Sequence, residues 1–414
     1  MWSIGNEIPE QGSEQGLEIS RRLQSLCHQL DPTRPVTQGL DHAEASIKSG
    51  VATTMDVPGF NYRVHKYQNS ITQLPQGFLL GSETASTVSS RGVYKFPVAV
   101  TDNSQYASWA PTYDPNAIKK ADGQCSSYDV EYCSWSNLPD DDWVWQDDQP
   151  WVVGEFVWTG YDYLGEPTPY DEYWPSRSSY FGICDLAGLP KDRYYLYRSH
   201  WNKEAHTIHL LPHWSWGLTK KDKGHRIGKV TPVFCYTDYP EAELFVNGKS
   251  QGRIKKNPAE RLDRYRLRWN DVKYQPGELK VVVYDEQGRE AGSEVIRTAG
   301  APAKLQLDVW TADAHLKATG DDMAFVTVSL TDADGTLIPQ ADDQLTFEVS
   351  GAGSFQAVCN GDATSLEPFT EPTMKLFNGQ LVAIVRSAAQ TGTLTLKVTS
   401  PRRGLTQTVD IPVQ

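Results

Sequence analysis

The first half of the chain alternates short apolar runs with segments of helical periodicity. The apolar runs, each ending in small or polar residues, lie at residues 1–7, 36–38, 59–62, 78–83 and 151–158. Runs of this length between helical segments predict a parallel α/β sheet. Polar residues gathered at the carboxyl ends of such strands are typical of a (β/α)8 barrel, which carries its active site there.

Helix signals separate these runs. Ser13 is placed to cap a helix, and Asp31-Pro32 is placed to end it. Between them, apolar residues at helical spacing predict one apolar face that consists of Ile19, Leu23, Leu26, Cys27 and Leu30. Shorter helices are predicted at residues 43–49 and at about residues 63–73.

Five strands are too few to close a barrel of eight. We therefore expect residues 1–204 to hold about strands 4–8 of a TIM barrel, truncated at its amino end by about three β/α units. A smaller open α/β sheet is the alternative. A truncated barrel would leave strand edges and apolar faces exposed. No signal peptide is visible in the sequence.

The second half of the chain reads as β structure. Short alternating strands predict two all-β, immunoglobulin-like sandwiches, one at residues 205–299 and one at residues 300–414. Asn247-Gly248 predicts a hairpin turn in the first of them. Asp332–Gly335 resembles part of a calcium loop but lacks the downstream bidentate Glu, so we predict a glycine turn there.

Composition narrows the classes of partner. A net charge of −13 argues against nucleic acid, and no apolar run approaches the roughly 20 residues of a membrane span. The 13 Trp and 20 Tyr residues suit sugar faces as well as cores. The six cysteines show no zinc spacing, and free thiols are expected, although Cys125 and Cys133 lie close enough in sequence to pair. The acidic run of Asp140–Asp142 with Asp147 and Asp148 predicts a solvated loop.

Two glutamates, Glu7 and Glu83, end predicted strands on the same rim of the sheet. Hydrolysis of a glycosidic bond requires one carboxylic acid to protonate the leaving oxygen and one carboxylate on the other face of the sugar. A glycine lies two residues before each glutamate, Gly5 before Glu7 and Gly81 before Glu83, and leaves room for a ligand. From spacing alone, the alternative that each Glu merely caps a helix or pairs with an arginine remains open.

Four stretches resemble the motifs of glycoside hydrolase family 2. Trp2–Glu7 is similar to its acid/base motif, Gly81–Thr84 to the nucleophile strand of its β-galactosidase branch, Gly59–Tyr62 to the strand between them, and Phe156–Tyr163 to its final barrel strand. The resemblance implies that Glu7 is the acid/base, that Glu83 is the nucleophile, and that the substrate-binding residues are Asn6, Tyr62 and Trp158.

The resemblance covers nearly the whole chain and implies a retaining, exo-acting β-galactosidase of bacterial type. It implies an oligosaccharide or glycoconjugate substrate and allows a homo-oligomer. No cofactor is evident, and the magnesium ligands of some members would lie upstream of this chain. A periplasmic or secreted location is expected. A β-glucuronidase, a β-mannosidase, or an inactive fragment that serves only as a carbohydrate-binding or scaffold module remain alternatives.

Overall fold

The computed structural model describes residues 1–98, 122–217 and 226–414. The described residues form two compact units. The first consists of residues 1–88 and 129–160, and the second consists of residues 89–98, 122–128, 161–217 and 226–414.

The first unit is built on a five-stranded sheet in which neighbouring strands are parallel and follow chain order. Its strands are β1 (Trp2–Asn6), β2 (Val36–Leu40), β3 (Val57–Asn61), β4 (Leu79–Thr84) and β5 (Val152–Val157). All five predicted strands are therefore confirmed. Because the strands are parallel, their carboxyl ends meet at one edge, which is where the polar tips of the apolar runs lie.

Helices connect these strands, as expected for parallel pairing. They are α1 (Glu14–Leu30), α2 (Ala43–Ser49), α3 (Val51–Thr54), α4 (Tyr67–Ile71) and α5 (Pro139–Asp148), with 3-10 turns at Pro9–Gly12 and Val64–Lys66. Ser13 is the N-cap of α1 and accepts a hydrogen bond from the Gly16 N–H, as predicted. The predicted polar helix of residues 63–73 is split into a 3-10 turn and α4.

The apolar face predicted for α1 is largely exposed. Ile19, Leu26 and Leu30 are exposed, whereas the side turned inwards presents Gly16 and Ser20. Buried Ser20 donates to the Gln38 side chain in β2 at 3.0 Å, so a polar contact fixes the helix to the sheet. Helical periodicity located the helix correctly, but the stripe of apolar residues is not the face that packs on this sheet.

The acidic run lies in helix α5 and not in a loop, so that prediction was wrong, although Asp147 and Asp148 at the end of the helix are exposed. Asp140, Asp141 and Asp142 are buried in the first turn of α5. The Asp141 carboxylate accepts the Leu138 N–H at 3.1 Å, and Asp142 accepts from the Asn137 amide at 2.7 Å. Acidic side chains are favourable at a helix amino end because they accept hydrogen bonds from its unpaired N–H groups and complement its dipole. Three consecutive acids can therefore begin a buried helix.

The second unit contains helix α6 (Asp192–Trp201) and two β-sandwiches. In the first sandwich, a sheet of order β10-β7-β6 shares a core with one of order β12-β11-β8-β9. Its strands are β6 (Ile208–Leu211), β7 (Val233–Thr237), β8 (Glu241–Val246), β9 (Lys249–Lys255), β10 (Leu267–Trp269), β11 (Glu278–Tyr284) and β12 (Glu290–Arg297).

The second sandwich pairs a sheet of order β13-β14-β18-β16 with one of order β17-β15-β19-β20 around another shared core. Its strands are β13 (Lys304–Trp310), β14 (Met323–Thr331), β15 (Gln344–Gly351), β16 (Gly353–Cys359), β17 (Thr373–Lys375), β18 (Gln380–Ser387), β19 (Gly392–Ser400) and β20 (Leu405–Val413). The predicted change from α/β to all-β structure is confirmed.

Local predictions in the β region also hold. Asn247 and Gly248 both have positive φ between β8 and β9, as a two-residue hairpin requires. Asp332–Gly335 forms a turn in which the Asp332 carboxylate accepts the N–H groups of Asp334 and Thr336. All six cysteines are free thiols. Within the described ranges, no helix is long and apolar enough to cross a membrane.

Candidate active site

The two predicted catalytic glutamates are linked through the end of β3. Glu7 follows β1, Glu83 lies near the end of β4, and the buried Asn61 ends the strand between β2 and β4. Asn61 Nδ2 donates to Glu7 Oε1 at 3.0 Å and to Asn6 Oδ1 at 2.9 Å. Ser82 donates to Asn61 Oδ1 at 2.7 Å, and this bond fixes which end of the amide faces Glu7.

The next residue, Tyr62, contacts the other glutamate. Its hydroxyl donates to Glu83 Oε1 at 2.7 Å and accepts from Ser86 Oγ at 2.8 Å. Burial, followed by the charge of Glu83, raises the pKa of Tyr62 well above its usual value. The phenol therefore keeps its proton and donates a hydrogen bond to the carboxylate. One dipeptide, Asn61-Tyr62, thus contacts both glutamates.

The backbone turns sharply where these side chains enter the site. Glu7 has a φ of 48° and Tyr62 has a φ of 53°, in the left-handed region that non-glycine residues seldom adopt. Such conformations cost of order 1–3 kcal/mol each and cluster at functional sites, where the surrounding contacts hold them. Here the Glu7 N–H donates to Gly39 O and the Tyr62 N–H donates to Glu83 O, each at 2.9 Å.

Two further residues predicted to bind substrate lie at the same edge of the sheet. Asn6 is exposed, and its side-chain oxygen is taken by Asn61. Within the part of the chain that the structure describes, its amide N–H groups have no acceptor, so they are free to donate to a ligand. Trp158 follows β5 and is half-buried, and its backbone N–H donates to Thr84 O at 2.9 Å.

Asn61, Ser82 and Ser86 were not predicted as site residues. A signal for Asn61 was present, because it occupies the polar tip of a strand that lies between those of Glu7 and Glu83. No signal pointed to Ser82 or Ser86, since a serine hydroxyl occurs in almost any environment. Their roles depend on which neighbours the sheet register brings within 3 Å.

Gly39 provides the space for this network. A methyl group added at Gly39 would overlap Asn6 Oδ1 and would lie 2.9 Å from Asn61 Oδ1. We expect Gly39→Ala to lower kcat of a catalytically active form by about 100-fold, because displacing positioning groups by about 1 Å has that effect. Gly300→Ala is the matched control, since its added methyl would be in ordinary contact at 3.5 Å. Equal rates for the two variants would contradict the prediction.

His65, which follows β3, gives the fold a dependence on pH. Burial, then the charges of Lys66 and Arg63, lowers the pKa of His65 from 6.5 to about 4. The unfolded chain therefore takes up a proton that the folded protein does not, and the stability due to the neutral ring is lost as pH falls from 6.5 towards 4.

Between pH 7 and pH 5, we expect the wild type to lose about 1 kcal/mol more free energy of unfolding than His65→Gln. Urea titrations of both proteins at the two pH values measure this difference. Parallel losses would mean that the ring titrates alike in the folded and unfolded states.

Three polar residues of the second unit, Asp162, Glu166 and His209, have partners within that unit. Asp162 is buried and forms an ion pair with Lys191 at 2.7 Å, and burial raises its pKa to about 6. Glu166 accepts a hydrogen bond from Tyr163. His209 binds Asp192 at 2.7 Å and stacks on Tyr195, as a structural residue would. Across residues 1–98, 122–217 and 226–414, no group of three or more His, Cys, Asp or Glu side chains is arranged to hold a metal ion.

Comparison with known proteins places this geometry in context. Residues 307–408 match the model of the glycoside hydrolase family 2 C-terminal domain 5, and residues 228–292 match a domain of unknown function. A β-galactosidase of Bacteroides ovatus is 36% identical over 99% of this chain and 48% of its own length. A putative β-glucuronidase of Formosa agariphila is 28% identical over 94% of this chain and 36% of its own length.

A solved structure has the same fold. The crystal structure of a β-glycosidase from Bacteroides vulgatus superimposes with a TM-score of 0.78 at 29% identity, and the match covers 100% of this chain and 50% of that one. The chain therefore spans about half the length, or less, of the relatives that it matches.

Proposed function

Because the chain belongs to glycoside hydrolase family 2, we propose that it carries the catalytic carboxylates of a retaining, exo-acting β-glycosidase that cleaves terminal β-galactosides. One observation carries this proposal: Asn61 donates to Glu7 and the adjacent Tyr62 donates to Glu83, so both acids face one site. The 36% identity to a β-galactosidase over 99% of the chain supports the choice of sugar.

In the proposed mechanism, Glu83 is the nucleophile. Its carboxylate attacks the anomeric carbon while Glu7 protonates the glycosidic oxygen, and the bond to the leaving group breaks. Glu7 then removes a proton from water, whose oxygen bonds to the anomeric carbon while the bond from that carbon to Glu83 breaks, so the Glu83 carboxylate is released and the original configuration is restored. The Tyr62 hydroxyl stabilises the charged form of Glu83 by donating a hydrogen bond to it.

Substrate binding is assigned to the neighbouring polar and aromatic groups. Asn6 would donate its free amide hydrogens to a sugar hydroxyl, since Asn61 orients its oxygen away from the ligand. Trp158 would supply an apolar ring against a sugar face. Both assignments rest on the position of these residues at the strand ends that carry Glu7 and Glu83.

We also propose that residues 1–204 belong to a (β/α)8 barrel, followed by domains at residues 205–299 and 300–414. Within the described residues, β1 and β5 each pair on one side only. Trp2 of β1 is 46% exposed and Phe156 of β5 is 58% exposed, as expected where further β/α units would pack. The relatives, which are about twice as long, have the length to supply those units.

β-Glucuronidase is the second candidate, because a relative with that name matches 94% of the chain. The two candidates differ in whether the substrate carries a carboxylate. The discriminating experiment measures hydrolysis of nitrophenyl β-glycosides by the chain and by a form extended with the residues encoded upstream in its gene. We expect the extended form to prefer the β-galactoside. Preference for the β-glucuronide would replace the β-galactoside with the β-glucuronide as the proposed substrate. Failure to cleave any glycoside would refute the enzymatic proposal.

A further inference from the structure

The pairing of β4 is irregular on both of its sides at Glu83. Opposite β3, Phe60 pairs with Gly81 but Asn61 pairs with Glu83, so Ser82 is an extra residue. Opposite β5, Gly81 pairs with Glu155 and Thr84 pairs with Val157, so two β4 residues face only Phe156. A bulge of this kind interrupts the backbone ladder and lets the strand bend. Backbone pairing alone therefore holds Glu83 less firmly than a regular strand would.

The Thr84 hydroxyl bonds across this bulge. Thr84, which is 1% exposed, donates its hydroxyl to Glu155 Oε2 at 2.7 Å, and Phe156 O is a second, more distant acceptor at 3.4 Å. Glu155 lies two residues before the β5 partner of Thr84, so the bond crosses the irregular segment diagonally. Thr84 O also accepts the Trp158 N–H. Thr84 is thus adjacent in the chain to Glu83 and hydrogen-bonded to the backbone of Trp158.

Helix α5 holds the other oxygen of Glu155. Trp143, which is fully buried, donates its Nε1–H to Glu155 Oε1 at 2.7 Å. Burial, and then the charge of Glu155, raises the pKa of the neighbouring Asp142 well above its usual value. Asp142 therefore favours its protonated form more than a free aspartate does, and each Glu155 carboxylate oxygen accepts a hydrogen bond, from Thr84 or from Trp143. This is the arrangement of an anchored carboxylate.

We propose that Glu155, acting through Thr84, is a positioning residue that holds the nucleophile Glu83 at the β4 bulge. The proposal rests on the function proposed above, in which Glu83 attacks the sugar. Glu155 is hydrogen-bonded to Trp143 of α5, so we assign it no contact with the reacting atoms and infer that it acts by fixing the strand that presents Glu83. The buried acidic helix α5, which composition alone does not explain, acquires a role as the support of this anchor.

The test compares Thr84→Val with Thr84→Ser in the upstream-extended form. Valine keeps the shape of threonine but removes the donor, whereas serine keeps the donor. We expect Thr84→Val to lower kcat about tenfold with KM changed less than twofold, because a small misplacement of a reacting group acts on the chemical step. Thr84→Ser should restore kcat to within about twofold of the wild type. A purely structural role would lower the melting temperature and the amount of folded protein without this split between kcat and KM.

A double-mutant cycle tests whether Glu155 acts through Thr84. Glu155→Gln alone should also lower kcat, because the amide offers one acceptor oxygen and one NH2 donor in place of two acceptor oxygens, so the bonds from Trp143 and Thr84 cannot both keep their native geometry. If the effect passes through one bond, the Thr84→Val/Glu155→Gln double variant should be no slower than the slower single variant. Fully additive losses, or an unchanged kcat in Thr84→Val, would overturn the proposal.

A crystal structure of Thr84→Val provides a readout that does not depend on activity. In the native geometry, the Tyr62 hydroxyl lies 2.7 Å from Glu83 Oε1. We expect this distance to exceed hydrogen-bonding range in Thr84→Val and to be retained in Thr84→Ser. An unchanged distance in Thr84→Val would refute the positioning role even if the extended wild type cleaves every substrate. If the wild type cleaves none and the distance still lengthens, the functional proposal alone fails.

Discussion

Replacing Glu83 with glutamine is expected to lower kcat of the upstream-extended form by roughly 10⁴-fold or more, since removing a nucleophile eliminates the covalent route. The amide still accepts a hydrogen bond from Tyr62, so the site should keep its shape. The loss would therefore be chemical and not a consequence of misfolding. Initial rates on nitrophenyl β-galactoside, with circular dichroism of the same samples, measure both properties.

Glu14→Gln is the matched control, because Glu14 is an exposed carboxylate in the first turn of α1 and lies outside the proposed site. We expect its kcat to stay within about twofold of the wild type. Full activity in Glu83→Gln would refute the nucleophile assignment.

The acid and the nucleophile should also respond differently to the leaving group. In Glu7→Ala, the dinitrophenolate of a dinitrophenyl glycoside can leave without an acid to protonate it, so the first step should proceed. The second step lacks its general base, so the glycosyl-enzyme should accumulate. Azide should then accelerate turnover, because an anion needs no general base to attack. If azide gives no acceleration in Glu7→Ala, the acid/base assignment is contradicted.

The sequence was sufficient to predict the parallel sheet because each of its strands combines an apolar run with a polar tip. In Leu79–Thr84, the apolar residues are buried and Glu83 lies at the tip, so one pattern located both the strand and its functional end. The same logic located Glu7 after β1. Periodicity and strand-end chemistry are local properties, and local properties can be read from a sequence.

Contacts between strands could not be predicted in this way. The role of Asn61 depends on a bulge in β4 that places Ser82 on one side of its amide, and on the end of β1, which places Glu7 on the other. The acidic run of α5 was misassigned for a similar reason. Its carboxyl groups are accommodated by partners such as the Leu138 N–H and the Asn137 amide, whose positions follow from the fold of the loop and not from composition.

The second large effect is expected on stability, when Arg91 of the second unit is replaced. Its guanidinium lies 2.6 Å from Asp185, and the two side chains are 7% and 1% exposed. The same guanidinium donates to the backbone oxygens of Asn360 and Phe377, each at 3.0 Å. A single cation therefore joins the segment after residue 88, the Asp185 turn and two loops of the second sandwich. Its removal would leave the buried Asp185 carboxylate without its ion-pair partner.

We expect Arg91→Ala to lower the free energy of unfolding by about 3–5 kcal/mol, the usual consequence of leaving a buried charge unpaired. Urea unfolding followed by tryptophan fluorescence measures the change. Lys397→Ala is the control, because Lys397 and Glu348 form an ion pair that is 44% and 67% exposed, and such pairs contribute no more than about 1 kcal/mol. If the unpaired charge is the cause, Arg91→Ala/Asp185→Asn should be more stable than Arg91→Ala. A double variant that is equally or less stable would instead attribute the loss to the hydrogen bonds with Asn360 and Phe377.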